Sequence, residues 1–426
     1  MVMQMNNDYL KRISDEKLAL LLRAKGAVLI EGPKWCGKTR SAEELAESVL
    51  YMQDPDTSKE NILTAQVKPS LLLEGKTPRL LDEWQVAPEL WNAVRFAVDK
   101  RRAKGQFILT GSVVPTKTDD MHTGTGRIAR MKMRTMSLYE TGDSTGEISL
   151  GALFDGAKNI EGQSNLTIDE IAFVLNRGGW PEAAKESDEK VALTVAADYL
   201  EAVINEDISN VDDVEKNPDR VRALIRSISR NISSEARATT ILNDMIANDE
   251  ALSRATVDQY IDALKKLFVI EDLPAWSAKL RSRTAIRTTA KRHFVDPSIA
   301  AAALRATPKR LLSDLKTFGF LFESLCIRDL RVYAESIDGS VFHYRDKSGL
   351  EVDAIIQLAD GRWGAVEVKL GAGEIEDAAA NLLKLQQIVN TEKMNKPSFL
   401  MVLTGTKYAF QMKNSVWVVP LACLKN

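Results

Sequence analysis

The spacing of apolar residues changes period along the chain, and each change marks an element. Val28, Leu29 and Ile30 form a short unbroken apolar run, the pattern of a strand buried on both faces, while residues 41–50 (SAEELAESVL) carry helical spacing. The alternation then repeats. An apolar strand lies within residues 78–85 (PRLLDEWQ), a helix over 89–104 places Leu90, Val94, Ala97 and Val98 in one stripe and ends at Gly105, and a third strand follows over 106–112. Residues 8–25 read as one or two amphipathic helices leading into the first strand, and residues 53–76 are polar and then mixed. Strands alternating with helices predict an α/β fold. Residues 141–163 turn to Gly, Ser, Thr and Asp, which predicts a linker or exposed loop.

Helical spacing takes over afterwards. It covers residues 167–176 and 191–208, the latter with Leu193, Ala196, Ala197, Leu200 and Ile204 in its stripe, then 219–230, 234–247 and 253–267. Ser253 is placed to cap the last of these. Strand-like sequence at 268–270 and 293–295 follows, and three helices with a two-stranded wing describe a winged helix. The last hundred residues predict a helix over 317–333, strands over 349–356 and 363–370, a helix over 374–390 and a strand over 396–403.

At 426 residues the chain is too long for one core, and length alone suggests about three domains. Its 45% hydrophobic and 27% charged residues are ordinary for a soluble protein. A net charge of -2 excludes a wholly basic nucleic-acid coat, so any nucleic-acid contact has to come from a local patch. Cys36, Cys326 and Cys423 are odd in number and far apart, giving neither a disulfide framework nor zinc spacing. The start, MVMQMNNDYL, lacks an apolar signal core, and no later run is long enough to span a bilayer. A cytoplasmic location with no membrane partner is expected.

The chemistry begins where the first strand ends. Gly32-Pro33-Lys34-Trp35-Cys36-Gly37-Lys38-Thr39, followed by Arg40, sits between a predicted strand and a predicted helix. The two glycines let successive N–H groups point into one concavity, and the helix dipole adds to that field, so polyphosphate is the natural occupant. Lys38 would reach the β- and γ-phosphates and the Thr39 hydroxyl would bind Mg²⁺. The second strand ends in Asp82-Glu83, where the first carboxylate would hold Mg²⁺ and the second would polarise the attacking water. Thr110 and Ser112, at the tip of the third strand, are the candidates to hydrogen-bond the γ-phosphate or that water.

Gly32 to Thr39, Leu81-Asp82-Glu83-Trp84-Gln85 and Leu109-Thr110-Gly111-Ser112 resemble the Walker A, Walker B and sensor 1 elements of an AAA-type P-loop ATPase. With Gly126-Arg127-Ile128, Met136-Ser-Leu-Tyr-Glu140 and Gly178-Gly179-Trp180-Pro181, the succession is similar to a large bacterial and archaeal family that joins such an ATPase to a C-terminal domain of unknown function. The resemblance implies ATP hydrolysis with Mg²⁺. It also implies a finger arginine, Arg127 or Arg130, acting on a neighbour's phosphate, and hence a homo-oligomer.

Two further features concern nucleic acid. Lys279, Arg281, Arg283, Arg287, Lys291 and Arg292 lie within residues 279–292 with no acidic residue among them; if all six touched phosphates, binding to duplex DNA would fall with a log-log salt slope of about -5. In the predicted helix over 317–333, Glu323 points into the apolar stripe, and a buried carboxylate needs a partner. Asp353, Glu367 and Lys369 lie on the two strands that follow, with Glu367 and Lys369 on one face. Asp353 and Glu367 would share a divalent ion while Lys369 orients or deprotonates a water. Together with Glu323 they resemble the active-site pattern of restriction-endonuclease-like PD-(D/E)xK folds, although Asp353 is preceded by Val352 where that pattern has proline. Asp207, Asp212 and Asp213 read as a solvated helix end. The expected architecture is an AAA-type ATPase over residues 1–145, a helical lid or connector over 146–218, a winged helix over 219–305 and a restriction-endonuclease-like α/β domain over 306–426. The expected function is a Mg²⁺-dependent ATPase that controls a nucleic-acid-binding or cleaving module. The alternative is a nucleotide-switched interaction protein whose C-terminal domain is catalytically silent.

Overall fold

The computed structural model describes residues 9–112, 123–158, 160–211, 216–246, 252–277, 289–389 and 395–426. The chain divides into two compact units, residues 1–135 with 266–268 and residues 136–265 with 269–426.

The first unit is built on five parallel strands. They are β1 (Ala27–Glu31), β2 (Ser48–Tyr51), β3 (Arg79–Asp82), β4 (Phe107–Gly111) and β5 (Ile128–Lys132), in the order β2-β3-β4-β1-β5. Helices α1 (Ser14–Ala24), α2 (Lys38–Glu43), α3 (Ser58–Val67) and α4 (Glu89–Arg101) complete it. Unbroken apolar runs are needed because both faces of the sheet are covered. Leu29, Leu81 and Leu109 pack with Trp84, Leu90 and Trp91 on one side, while Val28, Ile30, Leu80 and Ile108 pack with Leu18 and Leu22 of α1 on the other. The helix expected over 41–50 stops at Glu43. Val49 and Leu50 instead pair with Leu80 and Leu81 as an edge strand, a non-local pairing that overrides their local helical spacing. The mixed stretch before β3 contains α3 and a 3₁₀ turn over Pro69–Leu73.

The second unit contains a helical part and a large mixed sheet. Its elements begin with β6 (Ile148–Ser149), α5 (Leu150–Phe154), β7 (Gly162–Gln163) and helices α6 (Ile168–Arg177), α7 (Pro181–Lys185), α8 (Glu189–Ala192) and α9 (Thr194–Asn205). Helices α10 (Pro218–Arg230), α11 (Ala238–Ile246) and α12 (Arg254–Lys266) follow, then the antiparallel ribbon of β8 (Ile270–Leu273) and β9 (Lys291–Phe294). Helices α13 (Pro297–Leu304), α14 (Pro308–Ser313) and α15 (Leu315–Ser336) lead to β10 (Gly339–Arg345), β11 (Glu351–Leu358), β12 (Trp363–Lys369), α16 (Ile375–Ile388), β13 (Leu400–Thr404), β14 (Tyr408–Gln411), β15 (Trp417–Pro420) and β16 (Leu424–Lys425). The seven-stranded sheet has the order β10-β11-β12-β13-β15-β14-β7. Ile375, Ala378, Ala379, Leu382 and Leu385 of α16 form one apolar cluster with Ile355, Ala365 and Val402 of the sheet.

Residues 141–163, expected as a linker or exposed loop, are tied into this unit. Ile148, Leu150, Leu153 and Phe154 are buried, β6 pairs with β16, and β7 closes the edge of the large sheet beside β14. A polar composition conceals strand pairing with a partner more than two hundred residues away. Asp207, expected in solvent, is buried; Asp212 and Asp213 lie outside the described residues.

A buried ionic cluster explains two sequence motifs. Asp296 Oδ2 accepts hydrogen bonds from Gly179 N at 2.9 Å and Arg328 Nη1 at 3.1 Å, and Asp329 Oδ2 accepts from Leu138 N at 3.0 Å. Gly179 has to be glycine, since a Cβ there would lie 2.0 Å from Met136 O. Burial pushes Asp329 up to about 6 despite the adjoining Arg328 guanidinium, and an uncompensated buried charge is costly enough that these groups act as one unit.

Candidate functional site

The glycine-rich loop connects the carboxyl end of β1 to α2, at the end of the sheet where β3 and β4 also finish. Gly37 has φ +98°, a left-handed value that a residue with a Cβ adopts only with strain, and a Cβ on Gly32 would lie 2.1 Å from Met133 O. Both glycines are therefore required by the loop's path. Within it Pro33 and Cys36 are buried, Lys34 and Trp35 are exposed, and Arg40 turns outward to pair with Glu43 Oε2 at 2.6 Å. Lys38 is buried, and its Nζ donates to Gly32 O at 3.0 Å and Pro33 O at 2.7 Å.

Asp82 is the hub. Its Oδ1 accepts from Thr39 Oγ1 and from Thr110 Oγ1, each at 2.7 Å, so residues from α2, β3 and β4 meet on one carboxylate oxygen. Glu83 follows in a left-handed conformation (φ +53°), and its N–H donates to Thr110 Oγ1 at 3.2 Å. Its carboxylate accepts from Ser112 Oγ at 3.0 Å and from Gln85 Nε2. Trp84, buried against Trp91, anchors the turn between the carboxylate and the glutamine that holds it. Thr110 and Ser112 thus serve different carboxylates, a distinction the sequence left open. Hydroxyl and carboxylate oxygens are the donor set a hard divalent cation takes, and Thr39 with Asp82 fits Mg²⁺.

The two candidate finger arginines pair with other acids. Arg127 O accepts the N–H of Ala27, which puts Arg127 at the amino end of the sheet, opposite the glycine loop, with its side chain paired to Asp99 at 2.9 Å. Arg130 pairs with Glu31 Oε1 at 2.6 Å and lies over the Trp91 ring.

In the second unit, antiparallel pairing of Ala354 with Val366 brings Asp353 beside Glu367. They line a cavity of about 530 Å³ with Lys369, Glu351, Asn381 and Lys384. Asp353 Oδ2 accepts from Val368 N at 2.9 Å. Burial, reinforced by the Asp353 charge, pushes Glu367 up to about 9. Glu323 does not line this cavity. It pairs with Lys291 at 3.1 Å, and Lys291 also lies 3.5 Å from Asp353 Oδ1. Burial pushes Glu323 up to about 8, and Asp353 adds to the effect.

Lys291 was expected among the phosphate-contacting cations and is only 5% exposed. Burial pulls its pKa down, but Glu323 and Asp353 outweigh this and raise it. Arg292 is likewise turned to Asp272, 3.5 Å away. Lys291 is thus not available to a phosphate backbone, because it meets two acids far from it in the linear sequence. Lys279, Arg281, Arg283 and Arg287 lie outside the described residues. Among the described residues no three His, Cys, Asp or Glu side chains converge.

A stability test follows from Glu367. With a folded value near 9, it holds at pH 8 a proton that the unfolded chain has released, which lowers stability as pH rises above the ordinary carboxylate range. Glu367→Gln mimics the protonated acid and is expected to raise stability at pH 8 by about 2 kcal/mol or more, and to leave it unchanged near pH 4. Urea midpoints at the two pH values check this.

Comparison with known proteins finds three family models along the chain. Residues 24–142 match the family model described as an AAA domain, residues 168–310 match a domain of unknown function (DUF8612), and residues 318–424 match another (DUF4143). Uncharacterized proteins of Mycobacterium tuberculosis and Mycobacterium bovis are each 20% identical over 361 residues, 84% of this chain and 74% of theirs. Among solved structures, a Walker-type ATPase of Pyrococcus abyssi aligns with 70% of this chain and 97% of its own at 13% identity and a TM-score of 0.42. AMPPCP-bound DnaA from Aquifex aeolicus aligns with 59% and 86% at 14% identity and a TM-score of 0.28. Residues 24–142 are thus similar to an AAA domain, as their family model describes it. Among the described residues no helix is long and apolar enough to cross a membrane.

Proposed function

We propose that the first unit binds ATP with Mg²⁺ and hydrolyses it, and that the cavity of the second unit is a nuclease-like site. The observation that carries the first reading is the convergence of Thr39, Thr110 and Asp82 at 2.7 Å beside the glycine loop and Lys38. The loop's N–H groups and Lys38 bind the phosphates, Thr39 and Asp82 hold Mg²⁺, and Glu83, steadied by Ser112 and Gln85, accepts the proton of the attacking water. Bound Mg²⁺ would offset the negative charge of the β- and γ-phosphates. Arg127 and Arg130 face away from their own unit's phosphate loop or pair locally, so a finger role needs a second copy of the chain; a mass measurement with and without ATP tests for one.

Lys38→Ala removes a charged donor to phosphate and is expected to weaken ATP binding by about 10- to 100-fold, read by calorimetric titration. Unchanged affinity would remove Lys38 from the site.

The second unit's reading rests on Asp353, Glu367 and Lys369 sharing one polar cavity. Cleavage of single- or double-stranded DNA or RNA with Mg²⁺ or Mn²⁺, lost in Asp353→Ala and Lys369→Ala, is the test. The second reading is a nucleotide-switched interaction protein with a silent C-terminal domain. It is favoured by Glu323, which is engaged by Lys291 outside the cavity. Absence of cleavage on every substrate, with ATP binding intact, selects it.

A further inference from the structure

Arg12, just ahead of α1, has its side chain inside the first unit and is 3% exposed. Its Nη1 donates to Cys36 O at 2.7 Å and its Nη2 to Arg134 O at 2.9 Å. One planar fork thus joins a carbonyl of the glycine loop to the segment that follows β5. The loop and that segment also meet at Gly32, beneath Met133 O, while Met133 N donates to Glu31 O at 2.7 Å. Residues preceding α1 are held in turn, since Arg12 N donates to Asp15 Oδ2 at 2.8 Å and the Tyr9 hydroxyl lies 2.7 Å from Ser41 Oγ of α2.

A phosphate-binding loop works by turning its N–H groups inward, which obliges the carbonyls of the same peptides to point outward. In a trans peptide the C=O and the N–H of the next residue point in opposite directions. The carbonyl of Cys36 and the N–H of Gly37 belong to one such peptide. Fixing Cys36 O on the guanidinium therefore fixes Gly37 N–H on the opposite side, and without Arg12 that buried carbonyl would lose a charged donor. Arginine suits the task because its donors have a rigid geometry and it stays charged when buried.

We propose that Arg12 is a positioning residue for phosphate binding, holding the Cys36–Gly37 peptide so that the Gly37 N–H faces the nucleotide. The inference rests on the nucleotide-binding reading above. Its effect falls on affinity, since Arg12 touches neither the phosphates nor Glu83. In calorimetric titration of the full chain with the non-hydrolysable analogue AMPPCP, Arg12→Met is expected to weaken binding by about 10- to 100-fold, with Arg12→Lys intermediate. At saturating ATP, kcat of both should stay within about threefold of wild type. Tyr9→Phe, which disturbs the same segment without reaching Cys36, should leave affinity within about twofold. Wild-type affinity in Arg12→Met, or a kcat that falls as far as the affinity, overturns the proposal. If Arg12→Met fails to fold, Arg12→Lys decides, and wild-type affinity there overturns it equally. Failure of the wild-type chain to bind AMPPCP sinks the nucleotide reading itself, an outcome distinct from binding that ignores Arg12.

Discussion

Glu83→Gln is expected to lower ATP turnover by about 10²- to 10⁴-fold, the usual contribution of a positioned general base, while leaving ATP affinity nearly unchanged. The geometry supports the split. Glu83 occupies a left-handed backbone position at the end of β3, and its carboxylate is held by Ser112 Oγ and Gln85 Nε2 beyond the Asp82 hub. Gln keeps the shape and one acceptor but cannot take a proton. Asp82, Thr39 and Lys38 are untouched, so binding persists. Phosphate release measured at saturating ATP, with affinity measured separately, checks both halves. Turnover within a few-fold of wild type would move the base to another group. Ser112→Ala should show a smaller loss in the same direction, because it frees one oxygen of Glu83 without removing the carboxylate.

The second large effect concerns Lys291. Replacing it with Met leaves two acids, Glu323 and Asp353, without their shared ammonium, and breaking a buried pair by removing one partner costs about 3–5 kcal/mol. The loss should depend on pH in a defined direction. Glu323 has a folded value near 8 against an ordinary carboxylate value when unfolded, so the stability its proton supplies is full in acid and is lost as pH rises through 8. At pH 6 Glu323 is protonated in the folded wild-type protein, and losing the ammonium matters less. At pH 9 it is largely an anion in the wild-type protein, so the loss is larger there, bounded by the variant's ability to keep Glu323 protonated once Lys291 no longer holds its value down. The buried histidines lower stability at pH 6 in wild type and variant alike, since burial lowers His343 to about 4 and His293 well below its usual value while their unfolded forms titrate near 6.5, so the comparison is between the two proteins at each pH. Urea unfolding at pH 6 and pH 9 reads the difference. An equal loss at both would assign Lys291 a packing role only.

The phosphate loop was legible because each of its requirements is local. Gly32, Gly37, Lys38 and Thr39 are neighbours in sequence, and the backbone path that demands them is the path their own residue types permit. Asp82-Glu83 and Thr110 could be placed for a related reason: unbroken apolar runs announce buried parallel strands, and polar residues at the ends of such strands have few places to go. Asp353 beside Glu367 followed from strand alternation once the two strands were taken as neighbours. Arg12 carried no comparable signal. A single arginine near an amphipathic helix reads as solvated surface, and only the folded chain brings it under Cys36.

Apolar period and glycine placement, read along the chain, determined β1, β3, β4 and α4 of the first unit and which residues crowd its phosphate loop, since these depend on neighbours within a few positions. Three assignments belonged to the tertiary structure alone. Residues 48–51 became an edge strand, 162–163 closed a sheet made mostly of residues beyond 339, and Lys291 left the basic stretch to sit between Glu323 and Asp353. In each, the deciding interaction joins residues far apart in sequence, or a charge to a partner it can meet only after burial has removed water. The energies of such contacts depend on desolvation and pairing, which a linear pattern of residue types does not encode.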